Sequence, residues 1–141
     1  MNVSKDWFVG LFQKIHVNGA YFGGRGLDRF SQYQFGLFDD TRIHGVPASG
    51  VRMSELGMAR GSYTFNLFEQ YRIDVFLEQA FGQDKERRTG WEPITGLGTA
   101  LNVKGPWNTI LRVDAGKSFL PSRYRTNGST VVQILMLKPL K

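Results

Sequence analysis

The sequence predicts an all-β fold, an antiparallel up-and-down meander of about six strands. Three observations carry this. Apolar residues recur with a period of two along most of the chain, and no segment sustains a 3.6-residue period. Glycine supplies 17 of the 141 residues, and aromatics are dense, with eleven Phe, five Tyr and three Trp; that composition favours strands and turns over helices. The connections between the apolar runs fall into two lengths, short and long, as a meander requires.

The first expected strand, near 13–22, sets Ile15, Val17 and Tyr21 on one face and Lys14, His16 and Asn18 on the other. In "GSYTFNL", near 61–67, Tyr63, Phe65 and Leu67 oppose Ser62, Thr64 and Asn66. "YRIDVFLEQAF", near 70–81, turns Ile73, Val75, Leu77 and Phe81 away from Arg72, Asp74, Phe76 and Glu78. The strand near 93–104 contains "GLGTALNV", with Leu97, Leu101 and Val103 opposite Gly96, Gly98, Ala100 and Asn102. Near 108–118, Leu111, Val113 and Ala115 oppose Arg112 and Asp114. "STVVQILMLKPL", near 129–139, is apolar on both faces, and its register stays open. "NLFEQY" and "KGPWN" read as tight turns, whereas "GQDKERRTGWEP" and "SFLPSRYRTNGS" are longer and polar. From about 24 to 60 no sustained strand is expected, and a loop of that length in a compact domain is usually functional.

Bulk properties exclude several functions. The length fits one domain, 1–141. Cysteine is absent, so there is no disulfide, thiolate metal site or cysteine nucleophile. The formal charge of +6 raises nucleic acid as a partner. However, the basic residues are scattered, "KERR" at 85–88 reads as a solvated turn, and no ribonucleoprotein motif, zinc finger or recognition helix accompanies them. No nucleic-acid partner is expected. "AGKS" at 115–118 lacks the phosphate-loop glycine, since Leu111 stands there, and no helix follows. There is no G-x-S-x-G elbow, His16 and His44 lack zinc-ligand spacing, and Asp39-Asp40 reads as turn charges. No catalytic residue, metal or cofactor is expected. No run approaches the ~18 apolar residues of a transmembrane helix, and "MNVSKDWFVGLFQK" lacks the apolar core and cleavage site of a secretory signal.

The second face of the strands carries ions of both signs: Lys14, Arg72, Asp74, Glu78, Arg112 and Asp114. In a soluble β-sandwich or a lipocalin-like binding protein these would be the wet side of a sheet. In a transmembrane barrel they would line a watery interior, and the Leu/Val/Phe face would meet lipid. Several runs approach the 9–11 residues that cross a bilayer at a tilt. Tight turns at one end and long loops at the other suit such a barrel.

The order of motifs adds a resemblance. "DRFSQYQFG" followed by "RIHGV" resembles the sixth-loop region of the bacterial surface antigen superfamily, the sixteen-stranded barrels that insert or export proteins at the outer membrane. In that family a long loop folds back into the lumen. Its tip presents Val/Leu-Arg-Gly-Phe/Tyr to a Phe-x-Asp pair pointing inward from a later strand. Here Ile43-His44-Gly45-Val46 stands in the loop motif and Phe76-Leu77-Glu78 in the strand motif. "TGLGTALNV", "GPWNTILRVDAG" and a final apolar strand follow in the family's order, so the likeness spans essentially the whole chain. It departs at His44 for the loop arginine, Val46 for its aromatic neighbour, Glu78 for the strand aspartate, and Leu140-Lys141 for the terminal aromatic. Imidazole facing carboxylate keeps the complementary chemistry of the pair.

The resemblance implies a transmembrane barrel of the protein-insertion or polypeptide-export type, with no chemical step, in the outer membrane of a Gram-negative-type bacterium. It makes Arg72, Asp74, Arg112 and Asp114 lumen-facing, pairs the loop with Phe76 and Glu78, and names the lipid bilayer and client polypeptides as partners. About six strands cannot close such a barrel, so the chain is expected to be the C-terminal part, completed by the remaining strands of a longer chain. A His44–Glu78 pair in a wet lumen would contribute ~1 kcal/mol, as screened pairs do. Patatin-type lipases in some bacteria carry a similar barrel behind a hydrolase domain. That alternative stays open beside the soluble sandwich or lipocalin-like carrier.

Overall fold

The computed structural model describes residues 1–24, 32–34, 42–46, 52–84, 90–120 and 129–137. Among these residues nine strands form, in chain order: β1 (Asn2–Phe8), β2 (Gln13–Gly23), β3 (Tyr33–Gln34), β4 (Arg52–Met53), β5 (Glu55–Leu67), β6 (Tyr71–Gln83), β7 (Glu92–Lys104), β8 (Ile110–Phe119) and β9 (Thr130–Leu137). Seven of them make one antiparallel sheet in the order β1-β2-β5-β6-β7-β8-β9, and β3 pairs with β4 in a separate two-stranded ribbon. The meander is therefore up-and-down, with the ribbon inserted between β2 and β5. The sheet is not closed: the outer edges of β1 and β9 pair with nothing among the described residues.

The turns fix the register. Phe68–Gln70 joins β5 to β6 with Phe68 at φ 57°, and a single 3-10 turn at Pro106–Asn108, with Trp107 also at φ 57°, joins β7 to β8. These conformations reverse the chain within a few residues. Leu67 then faces Tyr71 and Lys104 faces Ile110 at the strand ends. The period-two alternation converts this register into two unlike faces.

One face, the loop face, is covered by the ribbon and by residues 42–46. Its apolar core gathers at the long-loop end of the sheet, where Ala20, Leu56, Met58, Ala80 and Ile94 pack with Ile43, Val46, Met53 and Leu120. Phe22 leans on this cluster and stacks at a tilt on Tyr33, with ring centroids 5.5 Å apart. Toward the tight turns the same face becomes polar, with Thr64, Arg72, Asp74, Asn102, Arg112 and Asp114 on adjacent strands. The opposite, bare face carries Tyr63, Val75, Leu77, Leu97, Leu111 and Ile134 with no second layer on them among the described residues. Val75 is 52% exposed, Leu77 60% and Ile134 70%. A soluble sandwich would bury these side chains between two sheets, and here a single sheet leaves them open. Among the described residues no helix is long and apolar enough to cross a membrane.

Two expectations need correction, and one register left open is settled. The main sheet has seven strands rather than about six, because Asn2–Phe8 pairs with β2 from Asn2↔Ala20 to Phe8↔Lys14. That strand hides in the sequence because Lys5 sits between Val3 and Trp7 on the bare side and breaks the apolar alternation. The connection after β2 ends at Ser54, not near 60, since β5 begins at Glu55. There the bare-face positions are Gly57, Ala59 and Gly61, and the large apolar residues Leu56 and Met58 point to the loop face. The alternation thus reverses phase along the first half of β5. In β9, Val132, Ile134 and Met136 take the bare side and are exposed. The turn at 85–88, Asp39-Asp40, residues 28–31 and the terminal Leu140-Lys141 lie outside the described residues.

Candidate functional site

The site begins with glycine. On β7 and β8, Gly96, Gly98 and Gly116 recur at alternate positions of the loop face, so three neighbouring side-chain places are bare backbone. Residues 43–46 settle into this gap. They form a four-residue turn closed by Val46 N–H donating to Ile43 O at 3.1 Å. Gly45, third in the turn, has φ +80°, the left-handed value that a type II turn requires there. A Cβ at Gly45 would also run into the backbone of Lys117 and Ser118. Gly116 is nearly as tight, since a Cβ there would stand 2.7 Å from His44 Cβ and 2.8 Å from Gly45 N.

His44 lies flat in the seat. Its ring stacks on Phe76, with centroids 4.3 Å apart and planes 17° apart, and passes over Gly98 on β7. Nδ1 lies 2.9 Å from Glu78 Oε1, and the His44 backbone N–H donates to Oε2 of the same carboxylate. Both side chains are buried, 4% and 0% exposed. Glu78 also accepts from Arg60 Nε at 2.7 Å, and Arg60 in turn donates to the carbonyl of Arg42 at the root of the turn. On the far side of the ring, Nε2 points toward Asp114 Oδ1 at 3.8 Å and has no hydrogen-bond partner among the described residues. Asp114 is held by Arg112 through Nε and Nη2, at 2.8 and 3.0 Å, and by Arg42 Nη2 at 3.3 Å. The imidazole therefore bridges from β6 to β8 across the glycines of β7. Finally, Ser118 and Ser129 both donate to Gly45 O, at 2.7 and 2.6 Å.

Six residues of the loop and strand motifs enter this assembly: Ile43 and Val46 in the apolar core, His44 and Gly45 in the seat, Phe76 and Glu78 beneath, while Leu77 faces the bare side. Asp114 and Arg112 reach it from β8. Arg72 and Asp74 do not. They pair with each other at 2.9 Å further toward the turns, where Asp74 also accepts from Thr64 and Asn102. His16 pairs with Asp6 at 2.5 Å on the β1–β2 hairpin, with Lys14 3.6 Å from the same carboxylate. Sequence reasoning missed Arg42, Arg60, Ser118 and Ser129. Arg60 is recoverable from register, because it is the direct cross-strand partner of Glu78.

Chemically, the assembly holds a turn in place. The adjoining cavity, about 10 Å³ between Arg42, His44, Asp114 and Gln133, has room for about one water and none for a substrate. Among the described residues no group of three or more His, Asp or Glu side chains could bind a metal ion. No family model, no curated protein and no solved structure matches the chain.

Proposed function

We propose that this chain forms part of an outer-membrane β-barrel of the protein-insertion or polypeptide-export type, acting without a chemical step. The observation that carries the reading is the inversion of the two faces. Buried carboxylates, arginines and an ordered turn occupy the loop face, while exposed apolar side chains fill the other. A water-soluble sheet puts its charges outward, and a barrel in lipid reverses this. Aromatic residues bracket the bare face at both ends, with Tyr21, Phe81 and Phe119 near the long loops and Trp7 and Tyr71 near the turns, all exposed. Tyr71 to Phe81 spans roughly 33 Å along β6. At a barrel tilt of about 45° that becomes close to the ~25 Å apolar band of outer-membrane barrels. The partners proposed are the lipid bilayer, further barrel strands and, through the family resemblance, client polypeptides.

The two open edges support further strands. β1 and β9 run in the same direction, since seven antiparallel strands separate into four and three. An antiparallel closure, which bacterial barrels favour with an even strand number, takes an odd number of added strands. Within the barrel, the seated turn at 43–46 braces the loop against the wall.

Membrane insertion of the full chain tests this. The protein is expected to need detergent or lipid to stay dispersed. In vesicles of phosphatidylcholine brominated near the headgroup, fluorescence of Trp7, Trp91 and Trp107 should be quenched. A monomer in plain buffer that unfolds cooperatively and ignores the vesicles overturns the proposal.

A further inference from the structure

We infer that the turn end of the loop face is a binding groove for an acidic, partly apolar peptide segment. This holds for the sheet whether or not a bilayer covers the other face. A groove of about 870 Å³ opens there, within the size range of sites that enclose a short peptide's side chains and well beyond a free inorganic anion. Its floor is a polar row: Asn66 faces Arg72 across β5–β6, and Arg72 faces Asn102 across β6–β7, with Lys104 next along β7. Phe12 and Phe68 form its walls, and Phe68 is 82% exposed.

The charges around the groove sum to zero, Arg72 and Lys104 against Glu69 and Asp74, but they are unevenly placed: the guanidinium is half exposed and the Asp74 carboxylate behind it is covered. Asp74 behind the row is already met by Thr64, Asn102 and Arg72 Nε, so both its oxygens are engaged. That contact pins the guanidinium through Nε, while the Nη groups of Arg72 have no acceptor among the described residues, and its side chain is half exposed. Lys104 has no ion pair among the described residues. The acid in the lining is Glu69, on the exposed turn itself. A guanidinium held from behind and offering its remaining N–H groups is pre-arranged for a carboxylate. The carboxamides beside it suit peptide N–H and C=O groups, and the phenylalanines suit an apolar side chain between acidic ones. Both cations, both amides and both rings thus address one extended ligand.

Binding can be read by fluorescence anisotropy on the full chain in detergent. The probe is a fluorescein-labelled peptide of four glutamates interrupted by two phenylalanines, with a lysine counterpart as control. Wild type should bind the acidic peptide, more weakly as salt rises, and at least about tenfold more tightly than the basic one. K104Q removes a charge that supports no other side chain, so the fold is kept, and it should weaken binding several-fold. The R72Q/K104Q pair should weaken it about tenfold or more, while K117Q, which removes an exposed charge on the opposite face beside Leu97, should leave it unchanged. Equal affinity for both peptides, or no loss in K104Q and the double variant, overturns the inference. So does displacement of the peptide by inorganic phosphate at matched concentration, which would make the groove a general anion site.

Discussion

Replacing Gly98 by valine should expel residues 43–46 from their seat and lower stability by at least about 3 kcal/mol, the scale of overpacking combined with a broken buried polar network. A Cβ on Gly98 would stand 2.6 Å from His44 Cβ and closer still to the imidazole ring. The ring has nowhere to retreat. Phe76 stacks on it, Glu78 holds both Nδ1 and the backbone amide, and the turn behind it is fastened by Ser118 and Ser129. The sign makes the result diagnostic. In an open strand, glycine to valine relieves backbone entropy and improves β propensity, a gain of roughly 0.5–1 kcal/mol. Gly19 on β2 provides that control, since a Cβ there meets nothing within 4 Å. The G19V variant should be neutral or stabilised. Denaturant unfolding in detergent gives the two stabilities, and hydrogen exchange at the His44 amide, protected in wild type by Glu78, reports the seat directly. If G98V matches G19V in stability and keeps that amide protected, the glycine gap does not hold the turn.

The parts of the molecule that alternate on both faces are the ones a sequence makes legible. From Arg72 to Val75 in β6 and from Leu111 to Asp114 in β8, apolar residues and charges take turns, because one face meets open space and the other a polar network. β1 and the first half of β5 break that rule for physical reasons. Lys5 stands among the bare-face residues of β1, and small residues occupy the bare side of β5 where the ribbon has drawn Leu56 and Met58 to the other face. The turn at Phe68–Gln70 puts Arg60 opposite Glu78 by counting back seven residues on each strand. That pair was open to arithmetic once the register was known. The approach of His44 to Glu78 is different. They are 34 residues apart in sequence, and no periodicity connects a turn to a strand it packs on. Only the motif resemblance brought the two together, while the glycines that make room for the ring lie on a third element, β7. Nor does the sequence reveal burial. Ions facing a barrel interior suggest water around them, yet the turn excludes it and leaves Glu78 fully covered.

That burial changes the expected energetics of the His44–Glu78 pair. A screened pair would contribute ~1 kcal/mol, whereas removing one partner of a buried pair typically costs about 3–5 kcal/mol, because the other is left uncompensated. Glu78→Gln keeps the shape and still accepts from the His44 amide, but removes the charge that Arg60 and the imidazole share. His44→Ala keeps the backbone amide and removes the ring, with its contact to Phe76. Each single variant is therefore expected to lose about 3 kcal/mol or more in denaturant unfolding of the detergent-solubilised chain. The double variant should lose less than the sum by roughly 1–3 kcal/mol, since residues in one network couple on that scale. Lys14→Gln, on the β1–β2 hairpin where Lys14 and Asp6 are each about a third or more exposed, is the distant reference and should add independently to either single change. Full additivity between His44→Ala and Glu78→Gln would mean that the turn is held by Gly45 and the serines alone. Coupling of the expected size makes the imidazole–carboxylate bond the fastening of the loop to the wall.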